Sequence, residues 1–306
     1  MTVPRLVTCH QPVYLPWPGF FHKLLLADVL VVMDTVDFSR RGNQNRNRIM
    51  AAGGRPYWMT VPLSLKTSAS RRLSDVRIAN QDPGLDAEHA GTSVPKWQRG
   101  HWNSLRLSYG RTPYWSRYAA ELEELYLGRT WTRLIDLNIA LLRLLVAWLR
   151  IDVELVLASE LGSTGAKSDL VLDQCRRSAA SLYVSGMHGK DYLQEERFLQ
   201  SGVSIFYQSY RLPEACTQCS TLPQALSVID LLFRRGDAAK DALSEGNIPR
   251  ADIVEALLRA GGPTVMETHA TRPSARQSVR VREPHASLTA PAPEAQTSGD
   301  GPCSSL

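Results

Sequence analysis

CHQPVYLPWPGFFHKLLLADVLVVMDTVDFSRRGNQNRNRI, from Cys9 to Ile49, decides how this chain is read. Arg5 to Cys9 (RLVTC) has strand character and ends at His10. Pro12, Pro16 and Pro18 then forbid regular structure. Gly19 to Ala27 has helical spacing. Val29 to Met33 is a short continuous apolar run, as expected of a strand buried on both faces, with Asp34 at its C-terminal end. Polar groups at strand ends, joined by a Pro-rich turn, point to an assembled site.

Outward from this stretch, Arg48 to Leu63 predicts a hairpin with Gly53-Gly54 at or near its turn. Val94 to Tyr109, Thr112 to Leu127 and Trp131 to Arg150 predict three helices. After Arg150, strands at Val153–Ala158, Ser181–Ser185 and Val203–Gln208 alternate with helices at Ser168–Ala179, Glu195–Gln200, Leu226–Arg235 and Ile253–Ala260. Such alternation implies βαβ units. The expected fold class is α/β, a mostly parallel Rossmann-like sheet with a helical insertion or cap and a disordered C-terminal tail. The expected organisation is one α/β domain over residues 1–266, with 64–150 a mainly helical insertion. Residues 267–306 are rich in Pro, Ser, Thr, Ala and Arg and are expected to lack a core.

The 306 residues suit one large domain, and a hydrophobic fraction of 43% suits an ordinary soluble core. A net charge of +5 permits an anionic substrate or RNA without demanding either. The N-terminal residues lack the shape of a signal peptide, and the longest apolar run, Ile139–Leu149, is too short for a membrane span. Five cysteines make no disulfide framework. A cytoplasmic location is expected. Cys216 and Cys219 form a CxxC, but no further ligands at zinc spacing accompany it, so no metal is expected. No GxGxxG, P-loop, GxSxG or HExxH occurs, and no cofactor is expected.

His10, at a strand's carboxyl end, can serve as a general base. Asp34 could orient it, and Lys23 could reach the same crevice. In an extended segment Arg46 and Arg48 share one face and Asn45 and Asn47 the other. Paired guanidiniums clamp phosphate or carboxylate, and Arg40 and Arg41 lie nearby. Gln11, Tyr14 and Trp17 are further candidates for substrate contact. Lys167-Ser168 opens a helix, as an anion site would. Ser185-Gly186 could offer backbone N–H groups to an oxyanion, and Asp230 could pair with an arginine across the site. Each also has a plainer reading: a turn hydrogen bond, a solvated strand or core packing.

HQPVYLPWPGFF (10–21), Lys23, the run into Asp34-Thr35-Val36, QNRNRI (44–49), WMTVP (58–62), YVSGMHGKDYL (183–193) and LSVIDLLFRRG (226–236) together resemble the WbqC-like protein family. The resemblance implies a place in bacterial surface-polysaccharide biosynthesis and transfer of glycine or another amino acid onto an amino sugar. The chain departs from the family pattern at Arg211–Gln218, where an aromatic-rich segment is expected. The leading expectation is thus an amide-forming acyltransferase. It would move an aminoacyl group, from aminoacyl-tRNA in one version, onto a small-molecule amine. A nucleotidyl- or adenylate-transferring enzyme of HIGH-motif type is one alternative. A non-enzymatic nucleotide-sugar or RNA binding protein is the other.

Overall fold

A computed structural model describes residues 3–80, 94–212, 226–270 and 276–282. Its centre is a seven-stranded sheet in the order β5-β2-β1-β6-β7-β8-β9. The strands are β1 (Leu6–His10), β2 (Val29–Val32), β5 (Glu154–Leu157), β6 (Leu182–Gly186), β7 (Ser204–Gln208), β8 (Val265–His269) and β9 (Ser278–Val281). All neighbours pair in parallel except β8 and β9. The first six strands follow the order 3-2-1-4-5-6 of a doubly wound Rossmann sheet. A separate antiparallel hairpin joins β3 (Arg46–Met50) to β4 (Pro56–Thr60).

The apolar run of β2 is buried throughout because both sheet faces are covered. On one face Val7, Cys9, Val29 and Val31 pack with Val171 and Cys175 of α5 (Lys167–Arg177) and with Phe198 of α6 (Glu195–Gln200). On the other, Leu30 and Val32 meet α1 (Pro18–Leu26), α7 (Val228–Arg235) and the helical unit α2 (Lys96–Tyr109), α3 (Trp115–Leu127) and α4 (Leu134–Trp148). Leu6, Leu182 and Phe206 continue that face under Ile253 of α9 (Arg250–Ala260). A short helix, α8 (Ala239–Ser244), was not expected from the sequence. Among the described residues no helix is long and apolar enough to cross a membrane.

Between β4 and β5, residues 64–80 run as isolated bridges and one short turn, and the three helices of the helical unit follow from Lys96. The expected boundary at residue 266 is corrected. Glu267–His269 complete β8, and Ser278–Val281 form β9 against it. β9 is the edge strand and these residues are at least partly open to water, so their polar side chains fit the sheet without an aliphatic run. Arg282 then ties the end of β9 to Glu195 at 2.7 Å.

At the end of α7, Gly236 has φ 56° and ψ −126°, and an added Cβ would stand 2.4 Å from the Tyr114 ring. Gly236→Ala should therefore lower unfolding stability by about 2–3 kcal/mol in a urea titration. A loss below about 0.5 kcal/mol would show that the turn and the ring give way freely.

Candidate functional site

The β1–α1 turn carries three prolines where a dinucleotide fold has glycines. Pro18 opens α1 at its first position, where a missing N–H is harmless. Leu15 holds a left-handed φ of 46° although fully buried. Its neighbours pin it there. The Tyr14 N–H donates to the Asn43 carbonyl at 3.1 Å, and the Val228 N–H to the Pro16 carbonyl at 2.9 Å. Asn47 Nδ2 donates to the Leu15 carbonyl at 2.5 Å. Strain held this firmly is common beside functional sites.

Strand order reverses between β1 and β6, and there a cleft of about 350 Å³ opens at the strands' carboxyl ends. His10 and Lys23 stand on its wall with Trp17 and Phe20. His10 follows Leu6 and Thr8 onto the α1 side of the sheet, so its ring meets Phe20 edge-on at 4.9 Å and Trp17 at 5.6 Å. Its Nδ1 donates to the Gln11 carbonyl at 2.7 Å. That fixes the tautomer and leaves the Nε2 lone pair bare. Burial, and then the charge of Lys23, lower the His10 pKa to about 3. The imidazole is neutral at pH 7.

Lys23 is 6% exposed. No carboxylate among the described residues pairs with it, and burial lowers its pKa to about 8. At pH 7 it is still a cation. Ser185 and Gly186 form the opposite wall. Ser185 Oγ donates to the Gly186 carbonyl at 3.0 Å. The following turn, Met187–Asp191, comes so close that a Cβ on Gly189 would lie 2.0 Å from that oxygen. Only glycine permits this approach.

The remaining expected residues fall elsewhere, and most have their polar atoms occupied. Asp34 accepts both the N–H and the hydroxyl of Ser159, at 3.0 and 2.6 Å, so it caps a turn and does not orient His10. Gln11 accepts from Gln44 at 2.6 Å. Tyr14 is fully buried, hydrogen-bonded to Tyr126 and His101. Asn45 donates to the Val61 carbonyl at 2.9 Å. Asn47, besides pinning Leu15, accepts from the Arg48 N–H. Ser168 accepts from the Gln194 N–H at 2.9 Å, and the exposed Lys167 beside it does not line the cleft. Asp230 pairs with Arg234 on its own helix at 3.2 Å, not across the site. Arg46 and Arg48 share a hairpin face as expected, but with Trp58 and outside the cleft. Cys9 faces α5 and Cys175, away from the His10 ring. Cys216, Cys219 and Gln218 lie outside the described residues.

Sequence reasoning overlooked Gln208, Tyr210 and Tyr192, which also line the cleft. Gln208 ends β7, and the strand-end rule that singled out Ser185 would have found it. Gln208 Nε2 donates to His22 Nδ1 at 2.6 Å, while His22 Nε2 donates to the Ile248 carbonyl at 3.2 Å. His22 is thereby a buried support of the cleft floor.

The sheet order and the cleft at its switch point define a Rossmann-like α/β protein without the dinucleotide fingerprint. A sequence model of the WbqC-like protein family matches residues 11–242, and the chain belongs to that family. It is similar to the uncharacterized protein Rv1507c of Mycobacterium tuberculosis, 27% identical over 240 residues that cover 78% of this chain and 97% of that protein. No solved structure matches it.

Proposed function

We propose that the chain is an acyltransferase that joins an activated aminoacyl group to an amine in this cleft. The observation that carries the reading is the pairing of a bare imidazole acceptor with an uncompensated buried cation on one wall. An amine attacks the ester carbon of the donor and forms the C–N bond. His10 Nε2 takes the proton that the amine loses. Lys23 faces the charge that develops on the carbonyl oxygen. As the C–O bond breaks, the imidazolium returns its proton to the leaving oxygen. Bound negative charge neutralises Lys23 and removes one of the two causes that depress His10, so the base strengthens when substrate arrives. Trp17 and Tyr210 offer apolar surface to the acyl or sugar part.

The test supplies a pool of tRNA charged with labelled amino acids, and hydroxylamine together with simple amino sugars as acceptors. Wild type should form labelled hydroxamate or amide. His10→Ala should lose about a hundredfold in rate, the usual weight of a positioned base. Equal rates in wild type and variant would remove His10 from the reaction. ATP-dependent activation of free amino acid by wild type would instead favour the adenylate-transferring alternative, which the Rossmann strand order also suits.

A further inference from the structure

Arg40-Arg41 and Arg71-Arg72, thirty residues apart in sequence, are brought side by side. The Phe38 N–H donates to the Arg71 carbonyl at 2.8 Å, and Asp37 bridges Arg72. All four arginine side chains are exposed, and none has an ion pair among the described residues. Three acids lie on these loops, Asp34 held by Ser159, Asp75 held by Ser70 at 2.5 Å, and Asp37, and the arginines outnumber them, so the loops are positive. The first loop runs into β3, where Arg46 and Arg48 both place their guanidiniums 5.1 Å from the Trp58 ring centroid. That ring is 45% exposed, and Arg46 Nε has no hydrogen-bond partner among the described residues. The first loop leaves the carboxyl end of β2, next to the end of β1, and the second is tied to it by the Leu73 and Ser74 N–H groups on the Val36 and Asp34 carbonyls, so the arginine face rises from the edge of the sheet on which the cleft opens.

A small anion is held by guanidiniums that converge. Here they are spread over two loops and a hairpin, with one exposed indole between two of them. Phosphates repeated along a strand, with an unstacked base among them, match that spread. We propose that this face binds RNA, its phosphates on Arg40, Arg41, Arg46, Arg48, Arg71 and Arg72 and a base on Trp58. As the dock for an acyl donor, the surface rests on the transfer reading of the cleft; as an RNA surface it stands alone.

The experiment measures fluorescence anisotropy of labelled, uncharged tRNA against the full chain over a range of salt. Binding near 10⁻⁶ M at about 50 mM salt is expected, weakening steeply as salt rises. Two variants are compared. Arg46→Ala with Arg48→Ala and Trp58→Ala should weaken binding at least about tenfold. Arg40→Glu with Arg71→Glu, which leaves the hairpin intact, should weaken it similarly and flatten the salt dependence. Circular dichroism checks that both are folded. Absent binding at low salt would overturn the proposal, as would binding that neither variant weakens. Displacement by polyglutamate as efficient as by unlabelled RNA would overturn it too, and assign the face to an acidic protein. The readout is binding alone. Loss of hydroxamate formation with RNA binding intact would therefore count against the cleft, not against this surface.

Discussion

Lys23→Met is expected to raise the stability of the protein while making its cleft inert. The ammonium is buried with no opposing carboxylate among the described residues, and burial brings its pKa to about 8 from the ordinary 10.5. Below pH 8 the folded state carries this charge at a cost on the order of 3 kcal/mol, reckoned from the shift. Methionine has the same reach and no charge. At pH 7 the variant should therefore gain about 2–3 kcal/mol in urea unfolding. The sign with pH follows. Between about pH 8 and 10.5 the unfolded chain binds the proton that the folded chain has released. Wild type gains stability over that window, the variant does not, and their difference should shrink by pH 10. A methionine variant less stable than wild type at pH 7 would mean that Lys23 is held for structure. Its assignment to substrate charge would then fall. A residue that costs stability where it stands, on the wall of a cleft, is accounted for by what it binds.

The fold was legible wherever a period or a punctuation mark in the sequence had a single physical meaning. Val29–Val32 could only be a strand covered on both faces, and the prolines before α1 left no room for regular structure. Strand after helix after strand then implied a mostly parallel sheet, while the strand order came only from the structure. β8 and β9 were missed because the edge strand β9 needs no apolar run and the half of β8 that it pairs with is polar. Glu267, Thr268 and Arg280 look like tail until their pairing partners are known. The site was half legible for a different reason. Strand-end position singled out His10, Ser185 and Gly186, which line the cleft together with Lys23. Nothing in the local sequence shows which polar groups have partners elsewhere. Asn47 holds Leu15, 32 residues away, and Asp34 holds Ser159, 125 away. These side chains were chosen for chemistry and serve the turn that positions the chemistry.

Acid should begin to destabilise this protein above the pH at which its carboxylates titrate. His22 and His101 are buried, and burial lowers each pKa to about 4 from 6.5. Both rings are neutral at pH 7. The Tyr14 hydroxyl and His101 Nδ1 share a hydrogen bond of 2.8 Å, and the Thr60 backbone offsets only part of the effect of burial on the ring. Protonation makes the Tyr14 hydroxyl turn to accept from His101 and donate to Tyr126, and leaves an imidazolium charge deep in the core that joins the helical unit to the Pro-rich turn. At His22 the protonated ring meets the Gln208 amide donor. There the amide can flip, but it then gives up its contact with the Gly19 carbonyl. The folded values lie below the unfolded ones, so the stabilising effect is complete above pH 6.5 and is lost as pH falls toward 4. By pH 5 each ring should have removed about 2 kcal/mol. Against a usual total of about 5–15 kcal/mol, two such losses bring the protein close to unfolding. Denaturant titrations at pH 7, 6 and 5 check this. His101→Gln should be less stable at pH 7 and show a visibly shallower decline. Stability that stays flat from pH 7 to pH 5 would mean that these rings are protonated at little cost, and that the hydrogen-bonded chain from Tyr126 through Tyr14 to His101 is not what holds the helical unit against the turn.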